Sequence, residues 1–251
     1  MKKSLFILYL ILVDVFICNA EESQNFKEQQ LKYPRVANAF KEKESILKNL
    51  FNEKKLSYPP RQIFVRIFKR ERILEVWIKE SDEYILLKEY KICSLSGDLG
   101  PKREEGDRQI PEGFYYVNHF NPNSRFHLSL GISYPNESDI ILGKKGKLGG
   151  SIYIHGSCVT IGCVPITDAG IKELYILAVQ ARSSGQLKIP VHIFPVKLNE
   201  ENMAKLKRDF SKDSKNLDFW LNLKEGFDFF EKSHRLPRIR VNKSGQYEFN
   251  E

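Results

Sequence analysis

From Val36 to Phe51 apolar residues return at helical spacing (Val36, Phe40, Leu47, Leu50 and Phe51) with Lys and Glu between them. The pattern predicts one amphipathic helix that stops before Tyr58-Pro59-Pro60, since a residue ahead of proline is pushed out of the helical region. Then the period shortens to two: Ile63, Val65 and Ile67 on one face, next Leu74, Val76 and Ile78, next Tyr84 to Cys93, parted by polar turns at Lys69 to Arg72 and Glu80 to Asp82. Turns this short predict antiparallel hairpins. A charged, glycine-bearing loop follows from Ser94 to Pro111, and loops of that length in a compact domain are usually functional or disordered.

Further strands are predicted at Phe114 to Val117, Leu128 to Tyr134, Ser151 to Ile154 and Val191 to Phe194. One helix interrupts them, Asp168 to about Arg182, with Thr167 as N-cap and Gly185 beyond its end. After Pro195, Met203, Leu206 and Phe210 mark a helix, and Leu217, Trp220 and Leu221 another that Gly226 stops. Arg238 to Val241 and Tyr247 to Phe249 read as a small hairpin, and Phe219, Trp220, Phe227, Phe229 and Phe230 as a packing cap. The expected fold class is mainly β with a few helices, an α+β arrangement.

Composition fits one domain with appendages: 251 residues, 41% hydrophobic and 29% charged. The formal charge of +8 favours anionic partners, but basic and acidic residues alternate, as in Lys41-Glu42-Lys43-Glu44 and Lys102-Arg103-Glu104-Glu105. No stretch reads as a phosphate-tracking groove, which argues against nucleic acid. Met1-Lys2-Lys3, the apolar run Leu5 to Val13 and Cys18-Asn19-Ala20 before Glu21-Glu22 read as an export signal over residues 1–20. The apolar run is shorter than the ~20 residues a membrane span needs, so no integral span is expected after cleavage, although an uncleaved anchor stays open. With Cys18 removed, Cys93, Cys158 and Cys163 remain, and an odd count in an oxidising compartment invites one bridge and one free thiol.

Chemistry concentrates in Ile154-His155-Gly156-Ser157-Cys158-Val159-Thr160-Ile161-Gly162-Cys163, between a strand and a helix. A thiol attacks as thiolate, and a neighbouring imidazole is the usual means of producing one near neutral pH. His155 and Cys163 suit those parts. The Gly156 carbonyl can fix the imidazole tautomer, and Gly162 allows a sharp turn where backbone amides face a developing oxyanion. Three plainer readings compete: a buried His beside a core Cys, a zinc site from His155, Cys158 and Cys163, and a Cys158–Cys163 bridge.

The segment resembles the L,D-transpeptidase catalytic domain, the YkuD-type fold. Thr160-Ile161-Gly162-Cys163 matches its Ser/Thr-x-Gly-Cys motif and Ile154-His155-Gly156 the His-Gly upstream of it. Ser96-Gly97 and Pro111-Glu112-Gly113-Phe114 extend the likeness. Tyr90-Lys91-Ile92-Cys93, Gly100-Pro101-Lys102, Gly106-Asp107, Asn121-Pro122, Ser124-Arg125 and Gly226-Phe227-Asp228-Phe229-Phe230-Glu231 look like the branch represented by YafK, also called DpaA. The resemblance implies a β-sandwich catalytic domain over residues 61–196, after a signal at 1–20 and a helical arm at 21–60, with a helical and hairpin extension at 197–251.

It further implies Cys163 as nucleophile, His155 as proton acceptor and donor, Gly156 as the carbonyl orienting it, and Gly162 as an oxyanion-hole amide. The implied substrate is a peptidoglycan stem peptide containing diaminopimelate, acylated through a thioester in the periplasm without any cofactor or metal. The thioester then passes to an amine, including a lysine of an envelope lipoprotein, or to water, which would release such a lipoprotein. A silent murein-binding domain on the same scaffold is the alternative of another class. Candidate substrate contacts are Tyr134, Arg125, Lys102 with Arg103, Ser157 and Thr160, and Cys93 is expected to pair with Cys158. Two positions depart from the family: Ile161 replaces the His before Gly-Cys, and Pro165 the usual Arg or Asn.

Overall fold

The structure, a computed structural model, describes residues 25–250; the predicted export signal lies outside them. Ten strands and five helices of six residues or more follow a helical segment at 25–31. Among the described residues no helix is long and apolar enough to cross a membrane.

The first long helix, α1, spans Pro34–Glu53, with proline in its first turn where a missing N–H costs nothing. Its buried stripe is Val36, Ala39, Phe40, Leu47 and Phe51, the three- and four-residue spacing of a helix that covers one face. Strands β1 (Ile63–Phe68), β2 (Ile73–Glu80) and β3 (Glu83–Lys91) form the predicted antiparallel meander. After the long loop come β4 (Gly113–Asn121), β5 (Ser129–Ile132), the short helix α2 (Glu137–Leu142), β6 (Tyr153–His155) and β7 (Val164–Pro165). Helix α3 (Thr167–Ser183) leads to β8 (Pro190–Phe194). Then follow α4 (Glu200–Asp209), α5 (Ser214–Ser233) and the hairpin of β9 (Arg238–Val241) and β10 (Tyr247–Asn250).

Eight strands join in the order β3-β2-β1-β8-β4-β5-β6-β7, and β4 is where the sheet changes course. Its first half, Gly113 to Tyr116, pairs with β8, whereas Val117 to Asn121 pairs with β5 across a bulge between Val117 and His119. One strand therefore serves two half-sheets.

Side-chain alternation along β1 sorts the core. Ile63, Val65 and Ile67 enter the cluster shared with α1 and the almost wholly buried α3, while Phe64 and Phe68 face the C-terminal helices. Arg66, on that second face, bonds Glu75 at 2.8 Å and Glu231 at 2.5 Å, and lies over the rings of Trp77 and Phe230. The extension is thus one layer of the molecule: α5 buries Phe219, Trp220, Leu223, Phe227 and Phe230 against the sheet.

Two expectations need correction. Gly226 does not stop its helix; α5 continues to Ser233, and the residue is glycine where two rings approach the backbone, since a Cβ there would meet Phe249 at 2.4 Å and Phe114 at 2.8 Å. Thr167 is the first residue of α3 instead of preceding it, although its hydroxyl still accepts the Gly170 N–H at 3.3 Å. Helix α2 had no sequence prediction. It is too short for periodicity, and its signal is the capping box of Asn136 with Asp139.

Candidate active site

Strand β6 ends at His155, and the chain returns through a loop to Cys163 and then β7, which lies parallel to β6. Ile154 stands opposite Val164 and His155 opposite Pro165. By the alternation of side chains this register puts His155 and Cys163 on one side of the ladder, a diagonal step apart. Gly162 turns the chain at φ +94, and a Cβ there would crowd the Gln109 carbonyl at 3.1 Å.

His155 is 1% exposed, and its Nδ1 lies 2.5 Å from the Gly156 carbonyl oxygen. A carbonyl only accepts, so Nδ1 carries the proton and Nε2 keeps the lone pair of a base. Gly156 is itself held, its N–H donating to Phe126 O at 3.1 Å and Leu128 O at 3.3 Å. The Phe126 ring stacks on the imidazole, with centroids 4.6 Å apart and planes inclined by 28°.

A disulfide joins Cys93 to Cys158, their Cα atoms 5.5 Å apart, and it ties the loop to the end of β3. Cys163 is free and half-buried, its Sγ 3.8 Å from Ser151 O. With Cys158 bonded to Cys93, neither the zinc set nor the Cys158–Cys163 bridge survives. Among the described residues no cluster of His, Cys, Asp or Glu suits a metal.

Burial pushes the Cys163 thiol up, opposed by a hydrogen bond with the Tyr153 backbone. It also pushes His155 down, opposed by the Gly156 carbonyl. Both directions favour the neutral forms, thiol and imidazole.

The Gly162 amide, expected to open onto an oxyanion, donates to Ser96 Oγ at 2.6 Å. The Cys163 N–H donates to Thr160 Oγ1 at 2.9 Å, and the same hydroxyl donates to Cys163 O at 2.7 Å. Both amides are thus engaged within the protein, and Thr160 braces the Cys163 backbone. Ser157 is half-exposed, with its N–H donating to Asp168 Oδ1 at 2.8 Å.

The other candidate contacts divide. Lys102 is buried, its ammonium bonded to Asp107 at 2.7 Å and to Glu104 O at 2.8 Å, so its charge is consumed inside the loop. Tyr134 is buried too, with its hydroxyl donating to Leu148 O at 3.2 Å, and Arg103 pairs with Asp139 at 3.3 Å. All three side chains thus already hold partners within the protein. Arg125 is exposed. Ile161 is 76% exposed, so the side chain in place of the family's second histidine leaves the ladder for solvent.

Ser96, Phe126 and Asp168 escaped the sequence reading as site residues. Ser96 stood out only as part of a motif, and an Asp in a helix's first turn reads as ordinary capping chemistry; Phe126 carries no local signal.

The YkuD family profile, the L,D-transpeptidase catalytic domain, matches residues 61–193. The chain belongs to this family. It is 40% identical over 187 residues to YafK of Escherichia coli (strain K12), covering 74% of this chain and 72% of that one. The figures for YafK of Escherichia coli O157:H7 are the same. Among solved structures, the helical cell shape determining protein Pgp2 from Campylobacter jejuni gives a TM-score of 0.44 at 21% identity, covering 74% of each chain. Bd1075 from Bdellovibrio bacteriovorus gives 0.41 at 20% identity, covering 63% of this chain and 57% of that one.

Proposed function

We propose that this protein is an exported cysteine acyltransferase of the cell envelope that acts on peptidoglycan stem peptides in the periplasm. Its family supports the substrate class, and one observation carries the chemistry. His155 has Nδ1 committed to the Gly156 carbonyl, which leaves Nε2 as the base on the side of the ladder that bears the free Cys163.

The reading runs as follows. As Cys163 Sγ attacks the carbonyl at the L-centre of diaminopimelate, its proton passes to His155 Nε2. The tetrahedral adduct collapses, the C–N bond breaks, and His155 returns the proton to the departing amine, leaving a thioester on Cys163. A second amine or a water then attacks, again deprotonated by His155, and the thiol is restored. An amine gives a new amide, including one to a lipoprotein lysine; water gives hydrolysis and releases such a lysine. The exposed Arg125 remains the candidate partner for a stem carboxylate.

Incubation with sacculi that carry diaminopimelate stems and covalently bound lipoprotein, followed by mass analysis of the digest, tests the reading. New diaminopimelate links support transfer, and stems freed of lipoprotein lysine support hydrolysis. An unchanged digest together with sacculus binding supports the second reading, a silent murein-binding domain. The engaged Gly162 and Cys163 amides favour that alternative.

A further inference from the structure

The loop from Ser124 to His127 connects β4 to β5 and bears the ring that covers the imidazole. Arg35, in the first turn of α1, reaches it from outside the domain that the family profile matches. Its Nη1 donates to Ser124 O and, at 2.9 Å, to His127 O. Those carbonyls lie on either side of Phe126 in the chain, so a single guanidinium clamps both ends of a short segment. Inside the clamp, Phe126 N–H donates to Ser124 Oγ at 3.1 Å, and Phe126 O accepts the Gly156 N–H. Gly156 is the residue whose carbonyl holds the imidazole. Arg35 is therefore linked to His155 by two short routes, the stacked ring and the Gly156 peptide.

We propose that Arg35 is a positioning residue for the catalytic base: through the Ser124–His127 segment it holds Phe126 against His155, and the N-terminal helix thereby sets the protonation behaviour of the site. The inference rests on the reading of His155 and Cys163 as the reacting pair. Phe126 is 39% exposed on one side and covers the imidazole on the other, so it separates the base from water with a side chain that has no titrating group. The ionisable residues on the segments that carry or flank the site are Tyr153 on the strand of His155, Cys163 and Asp168 after it, the last bonding the Ser157 N–H at 2.8 Å, and Arg125 and His127 next to Phe126 in the chain. Burial sets the direction of its shift.

Arg35 can be removed without dismantling α1. That helix is held by its buried stripe, by Lys172 to Glu42 at 2.6 Å and by Gln180 to Glu44 at 3.3 Å, none of which involves Arg35.

The test is the rate of Cys163 alkylation by iodoacetamide in the full chain, followed by the mass of the Cys163 peptide, from about pH 5 to pH 9. Losing the ring in Phe126→Ala admits water to the imidazole, which then titrates nearer its ordinary value of about 6.5. The acid limb of the profile is expected to move up by roughly half a pH unit or more. Arg35→Ala should move it the same way. Arg35→Lys, which keeps a donating cation on a differently shaped and more mobile stem, should fall between that variant and the parent.

A structural role alone would lower the melting temperature and leave the profile in place. Profiles of Arg35→Ala and Phe126→Ala that superimpose on the parent's, while His155→Ala slows alkylation, would overturn this inference and spare the base assignment. Unchanged alkylation in His155→Ala would remove both.

Discussion

Glu112 is fully buried where the long loop meets β4, and three donors converge on it. Lys69 Nζ bonds Oε1 at 2.8 Å, the Gly100 N–H bonds the same oxygen at 2.8 Å, and Trp220 Nε1 of α5 bonds Oε2 at 2.7 Å. Glu112→Ala would leave the Lys69 ammonium, itself 2% exposed, without a counter-charge, although the Gly100 and Ile110 carbonyls still accept from it. Breaking a buried pair by removing one partner costs about 3–5 kcal/mol, and the orphaned Trp220 and Gly100 donors push toward the upper end. Against a total stability of roughly 5–15 kcal/mol that is a large fraction. Urea unfolding followed by tryptophan fluorescence should report it directly. Glu112→Leu with Lys69→Met should recover much of the loss, because the penalty belongs to the unpaired charge more than to the missing attraction. A loss below about 1 kcal/mol for Glu112→Ala would refute the claim that this carboxylate joins the loop, the sheet and α5.

Burial, assisted by Arg66, holds the His192 imidazole down to about 3 among Phe64, Phe114 and Phe194. The unfolded chain takes up a proton below about 6.5 and the folded one does not, so stability is complete above that pH and declines toward pH 3. The decline is on the order of 5 kcal/mol, and His192→Phe should flatten it in urea midpoints measured across that range. Gly226→Ala gains about 1 kcal/mol of helix propensity but forces the Phe249 and Phe114 rings apart, so a lower melting temperature is expected and a higher one would contradict the packing. Replacing Cys93 and Cys158 together by serine opens a loop closed across 65 positions, and calorimetry should show a loss of about 2–4 kcal/mol.

Much of this architecture was legible because short, apolar-rich strand segments are parted by polar turns. β1 to β3 lie close to where Ile63, Leu74 and Tyr84 begin their patterns, and α1 follows the stripe from Val36 to Phe51. What escaped depends on contacts between distant segments. Nothing near Gly226 tells that Phe249 and Phe114 meet over it, and nothing near Lys102 tells that Asp107 folds back to take its charge. The site divides the same way. Spacing and chemistry made His155 and Cys163 a candidate pair and the family resemblance singled them out with Gly156, whereas the neighbours Ser96, which bonds the Gly162 N–H, Phe126, which stacks on His155, and Arg35, which bonds the Phe126 segment, come from other elements. The amides near Gly162 show the limit most clearly: a turn can be read from glycine, but what its N–H faces cannot.

The central claim is that His155 arms Cys163 for acyl transfer. Intact-protein and peptide mass spectrometry after incubation with a carbapenem, an acylating mimic of the stem peptide, addresses it most directly. The account predicts one covalent adduct, carried by the peptide containing Cys163, formed far more slowly in His155→Ala and absent in Cys163→Ala. An unmodified Cys163 under conditions that acylate an active transpeptidase, or an adduct formed at the same rate without the imidazole, would contradict it.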